Sequence, residues 1–318
     1  CVNIRFSIPS DRNAILRFIE EMYFTPRDAS TWDALKMQAM LALEGDQIIG
    51  AIPFESRELF IGQNQSIKCA HETCVAIHPE FRNRGLGTKL QNALIQQTTD
   101  HDFLTVFREE PSSDSYRWYL KCGFTPVLEI ESMSLDESLI SPVTLAGPND
   151  DFDSRKRAVR ALDVRPFEQF NRDEIEPIWQ RSNRAGFVDR TKRSLFDWLA
   201  IHPYKSVYRF HLARDLTSDA LAVLGVGQLH SVGERIDVLA CTAERLSTLY
   251  TFDAALRDWA SHHHYAPIRW ALARRDPIAQ QLRDVDYRAV FPFSLLARPF
   301  KKMEINFENW RYAGIDFI

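Results

Sequence analysis

The sequence predicts an α/β (α+β) protein of two domains, each a mixed, mostly antiparallel sheet flanked by helices. Three observations carry this. A chain of 318 residues is long enough for about two domains. Short apolar runs that read as strands interleave with stretches whose apolar residues recur at helical spacing. The order of these elements in the first half returns, weakly, in the second.

Taken in order, Asn3–Ile8 reads as a strand. Ser10 and Asp11 are helix-start residues, and Ile15, Phe18, Ile19 and Met22 follow at helical spacing. Thr31–Gln38 reads as a second helix. Met40–Glu44 and Gln47–Phe54 are strands joined at Gly45-Asp46, a hairpin signal. Glu58–Ile61 extends the second of them past a turn. Ile67–Ile77 is read as one strand, stopped by Pro79. Thr88–Thr98 is a helix, Phe103–Phe107 a strand, Ser113–Lys121 a helix ended by Gly123, and Phe124–Ser134 a closing strand. Residues 141–160, with Pro142, Gly147-Pro148, an Asp/Asn cluster and Arg155-Lys156-Arg157, read as a solvated linker. In the second half the strands are expected at Asp163–Phe167, Val207–Ala213, Ala220–Leu229, Arg235–Cys241, Ile268–Ala273 and Tyr287–Ala297, with helices at Leu246–Ser261 and Pro277–Asp284. The expected domains are residues 1–138 and 163–318, separated by a linker at 139–162.

Bulk properties narrow the function. The net charge is −4, from 39 basic and 43 acidic residues, so the chain carries no global footprint for nucleic acid or an anionic membrane. No run of 18 apolar residues is present. The first residues, CVNIRFSIPS, show no signal-peptide pattern and no initiator Met. Cys1, Cys69, Cys74, Cys122 and Cys241 have neither metal-ligand spacing nor an even disulfide framework, as expected of reduced thiols in a cytoplasmic protein. His262-His263-His264 point three ways on a helix and cannot share one metal, so no metal site is expected.

The chemistry concentrates in Val75–Thr88, VAIHPEFRNRGLGT. Glycines let a backbone approach a ligand. The unpaired amides of a helix start favour phosphate, and Arg82 and Arg84 add guanidinium forks. Arg82-x-x-Gly85-x-Gly87, preceded by Ile77-x-Pro79, resembles the acyl-CoA signature of the Gcn5-related N-acetyltransferases, the GNAT superfamily. Tyr119-Leu-Lys-Cys-Gly123-Phe124 resembles the Tyr-x-x-x-Gly-Phe element that follows in that family. The resemblance covers most of residues 1–136. After Cys241 no glycine or arginine pair stands on a loop, and Asp286-Tyr287 replaces Gly123-Phe124. The second domain is therefore read as a degenerate GNAT-like copy.

The resemblance implies acetyl-CoA as donor and a primary amine as acceptor, small-molecule or protein. It places the pyrophosphate at Arg82, Asn83, Arg84, Gly85, Leu86, Gly87 and Thr88. It implies pantetheine contacts from the backbone of Val75, Ala76 and Ile77, and a weaker cofactor contact from Ser113, where the family often has Asn. Tyr119 is the implied acid for the leaving thiolate. For the base, His71 shares a strand face with Thr73, Val75 and Ile77 if alternation is unbroken. Glu72 enters if a bulge re-aims it. Glu109, Glu110 and a water chain are further options. A longer acyl group, or an acyl-CoA-binding regulatory protein without turnover, is the alternative. A monomer or weak homodimer is expected.

Overall fold

The computed structural model describes residues 2–23, 28–109, 113–135, 162–227, 235–243, 246–265, 268–284, 287–300, 305–312 and 316. They fall into two compact units. The first is Cys1–Leu128, Ile201–Ser206 and Phe293–Glu308; the second is Glu129–Ala200, Val207–Pro292 and Asn309–Ile318.

Unit 1 runs β1 (Val2–Phe6), α1 (Arg12–Tyr23), α2 (Ala29–Ala34), β2 (Gln38–Glu44), β3 (Gln47–Gly62), β4 (Gln65–Glu72), β5 (Ala76–Ile77), α3 (Leu86–Gln97), β6 (Phe103–Glu109), α4 (Asp114–Lys121) and the start of β7 (Thr125–Leu135). Its sheet is ordered β1-β2-β3-β4-β6. Neighbours are antiparallel except β4 and β6, which are parallel. Period-2 alternation in β2 and β3 serves two cores. Ile15, Phe18, Ile19 and Trp32 of α1 and α2 pack on Leu41, Leu43 and Ala51. Leu86, Leu90 and Leu94 of α3, with Tyr116 and Tyr119 of α4, pack with Met40, Ala42, Ile49 and Ile52. Each buried leucine contributes about 2 kcal/mol by leaving water.

Three local expectations change. The second helix starts at Ala29 because the Asp28 side chain caps it at the Ser30 N–H. β3 continues through Glu58–Ile61 without a turn. Its charged residues stay in the strand because Glu55 and Arg57 pair with each other while buried. The strand read as Ile67–Ile77 is broken. β4 stops at Glu72, Cys74 takes a positive φ of 48°, and β5 resumes at Ala76.

Unit 2 continues from β7 with β8 (Leu162–Pro166), α5 (Arg172–Arg181), α6 (Leu195–Ile201), β9 (Tyr208–Asp215), β10 (Leu221–Gly227), β11 (Arg235–Cys241), α7 (Leu246–His262), β12 (Ile268–Ala273), α8 (Pro277–Asp284) and β13 (Tyr287–Pro299). Its sheet order is β8-β9-β10-β11-β12, again with one parallel pair, β11 with β12. The two units thus repeat one topology.

The compact units are not the sequence halves 1–138 and 163–318. In unit 1, residues Phe293–Pro299 of β13 lie antiparallel on β6. In unit 2, Ile130–Ser134 of β7 lie antiparallel on β12. Each sheet is therefore closed by the last strand of the other half. Of the expected linker at 139–162, only Leu162 is among the described residues, and it begins β8.

Candidate active site

The site in unit 1 follows from the break at Cys74. β4 and β6 pair only from Cys69 with Phe103 to Glu72 with Val106. Beyond that point β5 pairs with β3 alone among the described residues. The His78 N–H donates to the Ile49 carbonyl at 2.9 Å while Ile77 stands opposite Gly50. In this antiparallel pattern the N–H and C=O of Ile77 face away from β3. Two side chains meet this free edge. The Tyr23 hydroxyl donates to the Val75 carbonyl at 2.6 Å, and Arg82 Nε donates to the Ile77 carbonyl at 3.0 Å.

The edge leads straight into the glycine loop. Asn83 and Gly85 take positive φ, 59° and 74°. Gly85 caps α3 without any side-chain hydrogen bond, so the first amides of the helix, through Leu86, Gly87 and Thr88, have no capping side chain. Gly87 lies close to Trp118: a Cβ there would sit 3.5 Å from the indole. Trp118 Nε1 donates to Thr88 Oγ1 at 3.1 Å, tying α4 to the start of α3. The Arg84 guanidinium lies 5.6 Å over the Phe81 ring. This loop offers donors and positive charge to an anion, as pyrophosphate binding requires.

At the apex of the opening lies a buried polar group. The Tyr119 hydroxyl donates to Glu72 Oε2 at 2.9 Å, Gln91 Nε2 donates to Glu72 Oε1 at 2.6 Å, and an Arg108 guanidinium N–H donates to the Tyr119 oxygen at 2.8 Å. Glu72 and Tyr119 are fully buried. Burial pushes the Glu72 carboxyl up to about 7, against the lowering effect of Gln91, Tyr119 and Arg108. Burial also holds the Tyr119 phenol well above its ordinary value, with Arg108 opposing. Arg108 stacks on the Tyr119 ring at 4.5 Å.

His71 points the other way. Its Nδ1 meets the Thr105 hydroxyl at 2.9 Å, and its ring contacts Phe107 edge-on. Burial, with Arg57 and Arg108 nearby, lowers its pKa well below the ordinary value, so the ring is neutral. The expected common face of His71, Val75 and Ile77 is not formed. The positive φ at Cys74 shifts the alternation by one residue. Ala70, Val75 and Ile77 then share a core with Tyr119, the side on which Glu72 meets Tyr119.

Residues 11–124 match the family model described as Acetyltransferase (GNAT) family. Over these residues the chain is similar to the GNAT family. No curated protein matches the chain by sequence. Solved structures share its fold at low identity. A GCN5-related N-acetyltransferase from Anabaena variabilis has a TM-score of 0.65 at 12% identity, covering 94% of this chain and 73% of that one. A GCN5-related N-acetyltransferase from Kribbella flavida has a TM-score of 0.57 at 16% identity, covering 94% and 71%. A tandem GNAT protein from the clavulanic acid biosynthesis pathway has a TM-score of 0.59 at 11% identity and covers 96% of this chain and 100% of its own. At such identities the likeness is one of fold, and it spans both units.

Within the GNAT fold, the structure brings together Val75–Ile77, Arg82–Thr88, Glu72 and Tyr119, and leaves His71 on the opposite face. Ser113 is the cap of α4, accepting from the Tyr116 N–H at 3.2 Å. The side chain of Glu109 and all of Glu110 lie outside the described residues. Sequence reasoning missed Tyr23, Gln91 and Arg108. Gln91 had a signal, a polar residue between Leu90 and Leu94 on the apolar face of its helix. Tyr23, at the last turn of α1, had none. Among the described residues no cluster of three His, Cys, Asp or Glu could hold a metal, and no helix is long and apolar enough to cross a membrane.

Proposed function

We propose that this protein is an acetyl-CoA-dependent N-acetyltransferase that acetylates a primary amine by direct attack on the thioester, with its machinery in unit 1. The observation that carries the reading is the opening between β5 and β6, whose free backbone edge at Val75–Ile77 runs into the uncapped amides of α3. An extended amide-bearing chain such as pantetheine can add to that edge as a short strand does. Its pyrophosphate then meets Arg82–Thr88, and its thioester reaches the Tyr119 end of the opening. Tyr23 and Arg82 yield the carbonyls of Val75 and Ile77 to the pantetheine amides.

The residues supply a closed proton circuit. The acceptor ammonium loses a proton to Glu72, directly or through water, which a carboxylate with a pKa near 7 accepts at neutral pH. The amine nitrogen bonds to the thioester carbonyl carbon and the C–S bond breaks. The departing thiolate takes the Tyr119 proton, and Tyr119 recovers one from Glu72. Nitrogen sheds two protons between ammonium and amide: the first follows this circuit through Glu72 and Tyr119 to sulfur, and the second leaves to solvent once the C–N bond has formed. Arg108, beside the phenol oxygen, stabilises the passing phenolate. Neutral His71, facing Thr105, holds the sheet and takes no part.

A thiol-release assay with acetyl-CoA tests this, over alkylamines, amino sugars, aminoglycosides and lysine peptides. Release of CoA matched by acetylated amine in the mass spectrum is expected for at least one class. Tight acetyl-CoA binding with no turnover across the panel would replace the enzyme by an acyl-CoA-binding regulatory module.

A further inference from the structure

Gln91 lies where the apolar face of a helix would ordinarily carry a leucine. It is 0% exposed on α3, between Leu90 and Leu94, which are buried as deeply. A buried amide is costly unless its polar atoms are paired. Only one end of this one is paired. Nε2 donates to Glu72 Oε1 at 2.6 Å, and the amide oxygen is buried without a partner among the described residues. An ionised carboxylate only accepts, so it meets the NH2 end of the amide. Glu72 therefore sets how the amide points, and packing alone would be served better by a leucine.

The two oxygens of Glu72 are thereby made unequal. Oε1 accepts from Gln91, whereas Oε2 accepts the Tyr119 hydroxyl at 2.9 Å. A proton arriving at Oε1 would set an O–H against an N–H, two donors face to face. A proton on Oε2 keeps the Gln91 bond, because Oε1 is then the carbonyl oxygen of the carboxyl. It also faces the Tyr119 oxygen, which accepts an Arg108 N–H at 2.8 Å and has a second lone pair for one more donor. Among the described residues, the titratable and charged groups that face Glu72 are Tyr119 and Cys122 from α4 and its end, Arg108 from β6 and Cys69 on its own strand. Burial pushes the Cys122 thiol up to about 11 and the Cys69 thiol up to about 12, so both stay neutral. Opposite Glu72, β3 and β6 present the apolar Phe54 and Val106.

We propose that Gln91 is a positioning residue of the base: by holding Oε1 it directs the proton that Glu72 takes up to Oε2, the oxygen facing Tyr119. The assignment rests on the acetyl transfer proposed for this site and gives its proton path a direction. With Oε2–H toward the phenol oxygen, the Tyr119 hydrogen turns from the carboxylate to the thioester sulfur. As the C–S bond breaks, the thiolate takes that hydrogen, and Oε2 passes its own to the phenol oxygen. Glu72 is left ionised and Tyr119 neutral, as they began. The same N–H stabilises the carboxylate more than the carboxyl, as a charge-assisted hydrogen bond does.

A pH titration of the full-length protein by difference infrared spectroscopy sees the carboxyl C=O directly, and the band absent from Glu72→Gln belongs to Glu72. In the wild type that band should grow in with a midpoint of about 7, at a frequency lowered by the N–H on its C=O. Gln91→Met keeps the length and removes the amide. It should raise the midpoint by about one pH unit and move the band to higher frequency. Gln91→Asn keeps an amide but withdraws it by one methylene, and should do the same. In CoA release, the acidic limb of kcat/KM should move up with the infrared midpoint and the high-pH plateau should fall about tenfold. A packing role would lower the plateau and leave the limb in place. The infrared readout needs no turnover: a protein that binds acetyl-CoA without releasing CoA loses the acetyl-transfer reading, and the bond between Gln91 and Glu72 is still decided. A wild-type band at the frequency of an unbonded carboxyl, or an unmoved midpoint in folded Gln91→Met or Gln91→Asn, would overturn the proposal.

Discussion

Glu72 and Tyr119 illustrate how burial makes reactivity. A glutamate in water is ionised at neutral pH and a weak base; enclosed beside Gln91 and Tyr119 it titrates near 7. The consequence has two opposite signs. For activity, a base must be unprotonated, so kcat/KM should rise with pH through about 7. For stability, the folded state keeps a proton that the unfolded state gives up from pH 4.5 upward. Stability from this group is full below that window and falls by about 3 kcal/mol as pH climbs through 7. Glu72→Gln should remove both limbs, taking away the loss of stability between pH 4.5 and 7 that this group causes and lowering the rate by ~10²-fold. A pH series of unfolding midpoints and kcat/KM on the two proteins checks this. Tyr119→Phe should lower kcat by ~10²-fold with acetyl-CoA affinity nearly unchanged; equal kcat, with chemistry rate-limiting, would take Tyr119 out of the mechanism. The base shows where sequence reading stopped. Both His71 and Glu72 were visible, but which one faces Tyr119 depends on one backbone angle at Cys74. A cysteine carries no left-handed signal as Gly or Asn would.

The loop from β5 into α3 was the most legible element. Its glycines and arginines lie on the loop that enters the helix, as expected, and the helix begins at Leu86, two residues before the expected Thr88. Gly85 has φ 74°, and nothing lies within 4 Å of a Cβ built there. An alanine would therefore cost only backbone strain, about 1 kcal/mol. Gly85→Asp adds negative charge at the mouth of the amides. It should abolish acetyl-CoA binding while lowering the melting temperature only slightly, measured by calorimetry and thermal unfolding in parallel. Ser113 was expected as a weaker cofactor contact; in the structure its hydroxyl caps the helix Asp114–Lys121.

For the whole molecule, length and element order were enough to read two copies of one topology, and the second-half strands fall within a few residues of where they were expected. The membership of the closing strands was not readable. β7 and β13 each carry the pattern of a strand that fits either sheet, and only the pairing of Phe293–Pro299 with β6 and of Ile130–Ser134 with β12 decides. A fragment of residues 1–138 therefore lacks the strand that covers β6 and exposes an apolar edge. It should aggregate or self-associate, and those of its Phe103–Phe107 amides that face β13 should exchange freely, whereas in the full chain they are protected. A soluble monomeric fragment with protected β6 amides would contradict the exchange.

The measurement that bears most directly on the account is calorimetric titration of the full-length protein with acetyl-CoA. The account predicts saturable binding at one site per chain, lost in Gly85→Asp, because unit 1 joins a backbone edge at Val75–Ile77 to the glycine loop proposed to hold the pyrophosphate. No binding, or binding that survives Gly85→Asp, would contradict it.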